Sequence, residues 1–341
     1  VYALKYENFL PFTYTPFAAA TFLPMTLFAW WALQLGTIFL NVISLFVTVG
    51  ASLRSLGYKL DRGSIGVVLG VVAIGAMLEP VDETFHFGQV NLILMAIVVW
   101  DLLLPDTSRF KGIGVGIAAG FKLTPAIFIP YLLLTRRFSA GIRAMATAVG
   151  TVVLGFVILP TESADFWFEQ LFMDSTRVGG VAYVSNQSVN AFIIRLSDAT
   201  SGTTSLWYPA AAVIAVVGFW VAVRVQRRGP ELAGVLVCAL TGLLVSPVSW
   251  SHHWVWAVPA IVLGFHVAYQ RASWLMWLVL GMGIVLMSQP ARLIWRVPST
   301  GDREFSWTVV ESLQGNLYVL LGLAALAYAA WWTTKTPVPE P

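Results

Sequence analysis

Apolar residues run along this chain in long blocks separated by short polar, aromatic or Pro-rich clusters. A helix needs about 20 apolar residues to cross the hydrocarbon of a bilayer, fewer where neighbouring helices thin it. Blocks of that kind occupy residues 29–50, 64–80, 89–104, 139–160, 207–226, 231–248, 251–269, 273–289 and 315–333, and each is expected to span. Two further stretches are ambiguous: Pro16 and Pro24 interrupt residues 12–28, and Lys122-Leu123-Thr124-Pro125 interrupts residues 112–134. Such breaks are tolerated at membrane depth only where protein buries them or a watery cavity adjoins them. The predicted architecture is an all-α polytopic integral membrane protein with about nine full spans plus re-entrant segments. Residues 1–335 read as a single transmembrane domain. The Pro-rich tail 336–341 reads as disordered and cytoplasmic.

Composition agrees with the pattern. Apolar residues make up 58% of the 341 and charged residues 11%, against roughly a quarter charged in soluble domains. Many of the 15 Trp, including Trp30, Trp31, Trp100, Trp207, Trp331 and Trp332, sit at block ends, where interfacial belts place them. The lone Cys238 excludes an intrachain disulfide and a Cys-based metal site. A net charge of +3, spread along the chain, leaves no nucleic-acid footprint. The chain begins at Val1, and its natural N-terminus is expected further upstream.

Basic residues choose between readings of 112–134. If that stretch dips in and returns to one side, Arg54, Lys59, Arg62, Arg109, Lys111, Arg136, Arg137, Arg143, Arg224, Arg227, Arg228, Arg271 and Lys335 share a face. Only Lys5, Arg177, Arg195, Arg292, Arg296 and Arg303 then lie opposite. If it crosses, the bias disappears, so the positive-inside rule favours a re-entrant segment. The polar-aromatic segments 79–91, 161–206, 246–253 and 290–314 then converge on the external face, where the chemistry is expected.

Four clusters carry candidate chemistry. In Glu79-Pro80-Val81-Asp82-Glu83-Thr84-Phe85-His86-Phe87-Gly88-Gln89-Val90-Asn91, carboxylates, a His and amides crowd a tight turn, as a base, a ligand set or sugar-binding groups would; a solvated turn with helix-capping amides fits equally. In Ser246-Pro247-Val248-Ser249-Trp250-Ser251-His252-His253-Trp254, adjacent His point about 100° apart on a helix and rarely chelate one metal. They suit a pocket that stacks a sugar on Trp250 and meets a phosphate, or an interfacial aromatic belt. Lys122, about ten residues from either end of its apolar stretch, is too deep to snorkel easily and suits an anionic lipid phosphate. Asn186-Gln187-Ser188-Val189-Asn190 with Arg195 forms a polar cluster after the aromatic, acidic stretch 165–169, or a bland surface loop. No phosphate-cradling Gly loop, nucleophile elbow or metalloprotease motif occurs.

At these clusters the chain resembles the actinobacterial (mycobacterial-type) polyprenol-phosphate-mannose-dependent α-(1→2)-mannosyltransferases of the GT-C superfamily. The resemblance rests on Leu10-Pro11-Phe12-Thr13-Tyr14-Thr15-Pro16-Phe17, Glu79-Pro80-Val81 with Gly88-Gln89-Val90-Asn91, Gly120-Phe121-Lys122-Leu123-Thr124-Pro125, Asn186-Gln187-Ser188, and Ser246-Pro247 with Ser249-Trp250 and His252-His253. Each is weak alone, and the five in order are specific. The resemblance implies an inverting transfer of mannose from a polyprenyl-phosphate lipid donor to a glycolipid or lipoglycan acceptor. It implies an active site on the outer face of the plasma (inner) membrane and no metal or cofactor. His252, His253 and Lys122 are then the candidate catalytic residues, facing the leaving phosphate or the acceptor. Glu79, Asp82, His86, Gln89, Asn91, Asn186, Gln187, Arg195, Trp250 and Tyr14 are the candidate substrate-binding residues. The family's presumed base is an external carboxylate after one more span, expected upstream of Val1; either that segment precedes this sequence or another group is the base, and no residue is carried over for it. A transporter remains the alternative from another class, since broken helices also mark transport sites. Transfer of another polyprenyl-phosphate sugar, such as arabinofuranose, and a non-catalytic lipid-binding scaffold are the others.

Overall fold

The computed structural model describes residues 2, 12–169, 175–197, 205–294, 296–299 and 302–338. Leu10 and Pro11 of the first motif, parts of 161–206 and 290–314, and the last three tail residues lie outside them. The described residues are helical, with two isolated β-bridges, Leu78 with Ser288 and Asn186 with Trp250.

The chain opens with α1 (Pro16–Phe22), α2 (Trp30–Ser55), α3 (Ile65–Ala76), α4 (Glu79–His86) and α5 (Asn91–Leu102). The interrupted stretch resolves into α6 (Ile113–Phe121), a 3-10 turn (Thr124–Ile127) and α7 (Phe128–Leu134). Then come α8 (Phe138–Ile158), α9 (Pro160–Phe168), α10 (Val189–Ser197), α11 (Trp207–Gln226) and α12 (Glu231–Val245). A 3-10 segment (Ser251–Trp256) leads into α13 (Ala257–Gln270). The chain closes with α14 (Trp274–Leu286), α15 (Gln289–Ile294), α16 (Val309–Gly315) and α17 (Leu317–Lys335).

Among the described residues four helices, α2, α8, α11 and α17, are long and apolar enough to cross a membrane by length and composition. Several expected spans are shorter: α3 and α5 have 12 residues, α14 has 13, α13 has 14 and α12 has 15. The apolar blocks overestimated them for a physical reason. Their polar ends leave the helix to build irregular structure at one end of the bundle. Glu79–His86, for instance, is a separate helix started by Pro80 in its first turn, where a missing N–H costs no hydrogen bond.

Residues 112–134 form a hairpin whose two feet lie at the same end of the bundle. Arg137 Nε donates to Asp106 at 2.8 Å, and Arg143 Nε donates to the Lys111 carbonyl at 2.9 Å. α6 runs alongside α8: a Cβ at Gly112 would strike the Ala140 backbone, one at Gly116 the Ala144 carbonyl, and one at Gly120 the Thr151 side chain. Gly112 also has a φ of 100°, open to Gly at little cost. Small residues of this kind let helix backbones approach where lipid supplies no hydrophobic drive. The buried Asp101 carboxylate accepts from the Gly112 and Val115 N–H groups and so caps α6 from a neighbouring helix. At about 1.5 Å per residue, the hairpin climbs roughly 15 Å before breaking at Lys122.

The two ends of the bundle differ in character. Arg137 pairs with Asp106 and Glu231, Lys111 pairs with Asp106, and Arg224 and Arg228 reach the carbonyls of Thr333 and Thr336 at one end. At the other end, residues 77–91, 183–190, 246–253, 287–292 and 315–318 are tied together by hydrogen bonds. Between them lies a core that includes Leu94, Val98, Leu102, Phe128, Leu132 and Leu244.

Candidate functional site

Lys122 closes the tip of the hairpin. α6 ends there in extended backbone because Pro125, three residues on, starts the 3-10 turn that carries the chain back. The Lys122 ammonium donates to Asn91 Oδ1 at 3.0 Å and meets His253 Nε2 at 2.9 Å. With Lys122 as the ammonium, which has no lone pair to accept with, Nε2 is the acceptor and the ring proton belongs on Nδ1. Lys122 Nζ lies 5.7 Å from the Tyr14 ring centroid. Among the described residues no carboxylate stands within ion-pair distance of it. This is a cation surrounded by neutral partners.

The same residues line a small cavity of about 60 Å³. Asn91, Lys122, Thr124, Ser246, Ser249 and His253 supply its polar side, and Leu94, Met95, Ile127, Phe128, Leu243 and Trp256 its apolar side. Asn91 starts α5, and its Nδ2 donates to the His252 carbonyl at 3.0 Å. Thr84 reaches that carbonyl as well, at 3.3 Å. The two His rings meet edge-on with centroids 4.8 Å apart. His253 therefore faces Lys122 and the cavity, while the His252 ring packs against Phe87, 5.5 Å between centroids.

The other expected residues divide into two groups. Tyr14 donates its hydroxyl to Gln89 Oε1 at 2.5 Å, and Thr15 bonds the Gly120 carbonyl, so the first motif docks beside Lys122. Asp82 is half-buried on α4 and His86 is exposed at its end. Between them Glu83 is pushed above the ordinary carboxylate range, first by burial and then by Asp82, against the pull of His86.

The second group turns inward. Glu79 is fully buried, ion-paired with Arg292 and accepting from the Tyr318 hydroxyl at 2.7 Å. Asn186, Gln187 and Arg195 are buried too. Gln187 donates to the Val184 and Gly315 carbonyls and accepts from the Tyr318 N–H. Trp250 is half-buried, bridged to Asn186, with its ring 6.4 Å from that of Tyr183. Sequence reasoning did not single out Arg292, Tyr318 or the Ser185–Ser251 hydroxyl pair, which Arg292 also reaches. Tyr318 is separated from Glu79 by 239 positions, and no local pattern marks that contact. Among the described residues no group of three His, Cys, Asp or Glu side chains is placed to hold a metal ion.

Comparison with known proteins places these features in a family. The model of glycosyltransferase family 87 matches residues 12–247. A Mycobacterium tuberculosis protein named polyprenol-phosphate-mannose-dependent α-(1-2)-phosphatidylinositol mannoside mannosyltransferase is 30% identical over 97% of this chain and 79% of its own length. A Mycolicibacterium smegmatis protein of the same name is 33% identical over 93% of this chain and 75% of its own length. A second Mycobacterium tuberculosis protein, named for a pentamannoside acceptor, is 34% identical over 97% and 76%. No solved structure matches the chain significantly.

Proposed function

The chain belongs to glycosyltransferase family 87, and from that premise we propose that it moves mannose from a polyprenyl-phosphate-mannose donor to a phosphatidylinositol-mannoside-type acceptor, making an α-(1→2) linkage. The observation that carries the site assignment is Lys122, a cation with neutral partners on the polar side of a small cavity. In the proposed reaction an acceptor hydroxyl attacks the mannose anomeric carbon from the face opposite the phosphate, its proton passing to a general base at the outer face. The bond from that carbon to the phosphate oxygen breaks, and the lipid phosphate leaves with one more negative charge. Lys122 uses two of its three N–H donors on Asn91 and His253, so the third is available to a phosphate oxygen. A fixed cation aimed where charge develops lowers the barrier with no reorganisation at that moment.

His253 holds Lys122 in direction and adds a ring dipole beside the same phosphate. Asp82, His86 and the free amide of Gln89 are the groups assigned to sugar hydroxyls. The site is assigned to the outer face of the plasma membrane, with the basic end in the cytoplasm. That orientation is supported by the gathering of Lys and Arg at the end opposite Lys122. The nine apolar blocks are assigned to one transmembrane domain over residues 1–335, with 336–341 as a tail. The shorter helices α5, α12 and α13 cross because their outer ends border the site rather than lipid. Against transport, the core of Leu94, Val98, Leu102, Phe128 and Leu132 fills the bundle below the cavity.

The test is direct. Purified protein in lipid is supplied with synthetic polyprenyl-phosphate-mannose and a phosphatidylinositol mannoside, and the product is digested with an α-(1→2)-specific mannosidase. Mannose released by that enzyme supports the reading. Transfer from the arabinofuranose donor alone, or no transfer, contradicts it.

A further inference from the structure

The His pair is not carried by a regular helix. It sits in the 3-10 segment Ser251–Trp256, preceded by the irregular residues 246–250, and Trp254 has a ψ of 20° inside it. Such a segment has little intrinsic rigidity, yet His253 must meet Lys122 within hydrogen-bond tolerance. Besides the bonds from Asn91 and Thr84 to the His252 carbonyl, what holds it comes from residues 185–190. The Asn186 side chain accepts from the Ser249 N–H at 2.9 Å and donates to the Val181 carbonyl at 2.9 Å and the Pro247 carbonyl at 3.5 Å. Ser188 Oγ and Asn190 Nδ2 converge on that same Pro247 carbonyl, at 3.2 and 3.1 Å. Main-chain bonds run alongside: Gln187 N–H donates to the Ser249 carbonyl and Ser251 N–H to the Ser185 carbonyl, both at 2.7 Å.

Asn186 is itself held. Both terminal nitrogens of Arg195 donate to the Asn186 carbonyl at 3.0 Å, and the same guanidinium donates to Asn316 Oδ1. The planar fork fixes two carbonyl groups at once, a geometry that Lys cannot copy. Asn186 is wholly buried, and both its amide atoms have protein partners. A sugar hydroxyl reaches neither atom without breaking the loop that carries His253.

We propose that Asn186, braced by Arg195, is a positioning residue that sets where His253 meets Lys122, with no contact of its own to substrate. The proposal rests on the reading of Lys122 and His253 as the groups facing the leaving phosphate. A catalytic group displaced by about 1 Å commonly loses on the order of a hundredfold in rate, so loosening the loop acts through His253. The readout is therefore coupling between the two residues, since independent effects multiply and linked ones do not.

The experiment is a double-mutant cycle on the full chain in lipid, with kcat and donor KM measured per folded enzyme for wild type, Asn186→Ala, His253→Ala and the double variant. Asn186→Ala is expected to lower kcat about 30-fold with donor KM changed less than about threefold, and to cost less than about threefold more once His253 is Ala. Arg195→Lys, which keeps the charge and loses the fork, is expected to lower kcat about tenfold with the same coupling, and it runs the cycle if Asn186→Ala does not fold. Losses that multiply with His253→Ala overturn the proposal, as does an unchanged kcat or a raised KM at constant kcat, the mark of a direct sugar contact. Full activity in His253→Ala overturns both this proposal and the phosphate reading. An impaired His253→Ala with uncoupled Asn186→Ala overturns this proposal alone.

Discussion

The two ends of the hairpin use cations in opposite ways. At its feet, Arg137 bonds Glu231 through both terminal nitrogens and Asp106 through Nε, Lys111 pairs with Asp106, and Tyr131 donates to Glu231. Both Arg137 and Lys111 have a counter-charge there. Burial pushes the Asp106 carboxyl up, but Lys111 and Arg137 outweigh it and hold the group below the ordinary carboxylate range. At the tip, Lys122 has an amide oxygen, an imidazole nitrogen and an aromatic face. A matched network binds protein to protein and has nothing left for a ligand. A partly buried cation with neutral partners keeps its Coulombic attraction for an incoming anion, where low dielectric makes that attraction strong. Both ends are basic, and their roles follow from the partners.

The sharpest way to break this contrast is to remove the tip charge. Lys122→Met is expected to lower mannose transfer by at least two orders of magnitude, about 2.7 kcal/mol of barrier, with normal folded yield; a normal rate would make Lys122 structural. His253→Ala comes next, at about one to two orders, while His252→Ala costs much less in rate and acts mainly through packing on Phe87. Equal rates for the two His variants would erase the distinction drawn between their rings.

At the feet the signs reverse. Arg137→Ala leaves Glu231 short of its cation and is expected to destabilise the protein by about 2 kcal/mol, less than the roughly 3–5 kcal/mol of a fully buried pair. Its transfer rate per folded molecule should stay near wild type, as thermal unfolding in lipid and the transfer assay together would report. The smallest effect is acid sensitivity. Because the folded Asp106 pKa is depressed, its contribution is present above the unfolded value near 4 and fades as pH falls through the folded one. Asp106→Asn should therefore lower the neutral plateau of the unfolding midpoint slightly and flatten its acid limb, the two proteins converging below about pH 4.

Much of this was legible in the sequence, and unevenly. Lys122 stood out because an ionisable group amid apolar residues has few innocuous explanations. The hairpin followed from the basic residues on both sides of it. Adjacent His on any helical turn point apart, which anticipated one ring at Lys122 and one in packing. The span lengths were less legible. Composition cannot tell a helix end that meets lipid from one that meets a polar site, so α3, α5 and α12 read longer than they are. In sequence Asn186 and Arg195 read as ligands, and the bracing proposed for them uses the same side chains. Only their partners, up to 121 positions away, tell the two roles apart.

Lys122 is assigned to the charge of the lipid phosphate. Inhibition of mannose transfer by polyprenyl phosphate and by the uncharged polyprenol of equal length, in wild type and in Lys122→Met at a donor concentration that leaves measurable turnover, isolates that charge. Wild type is expected to bind the phosphate at least about a hundredfold more tightly, roughly 2.7 kcal/mol, and Lys122→Met to bind the two nearly alike. An undiminished preference in Lys122→Met would contradict that assignment.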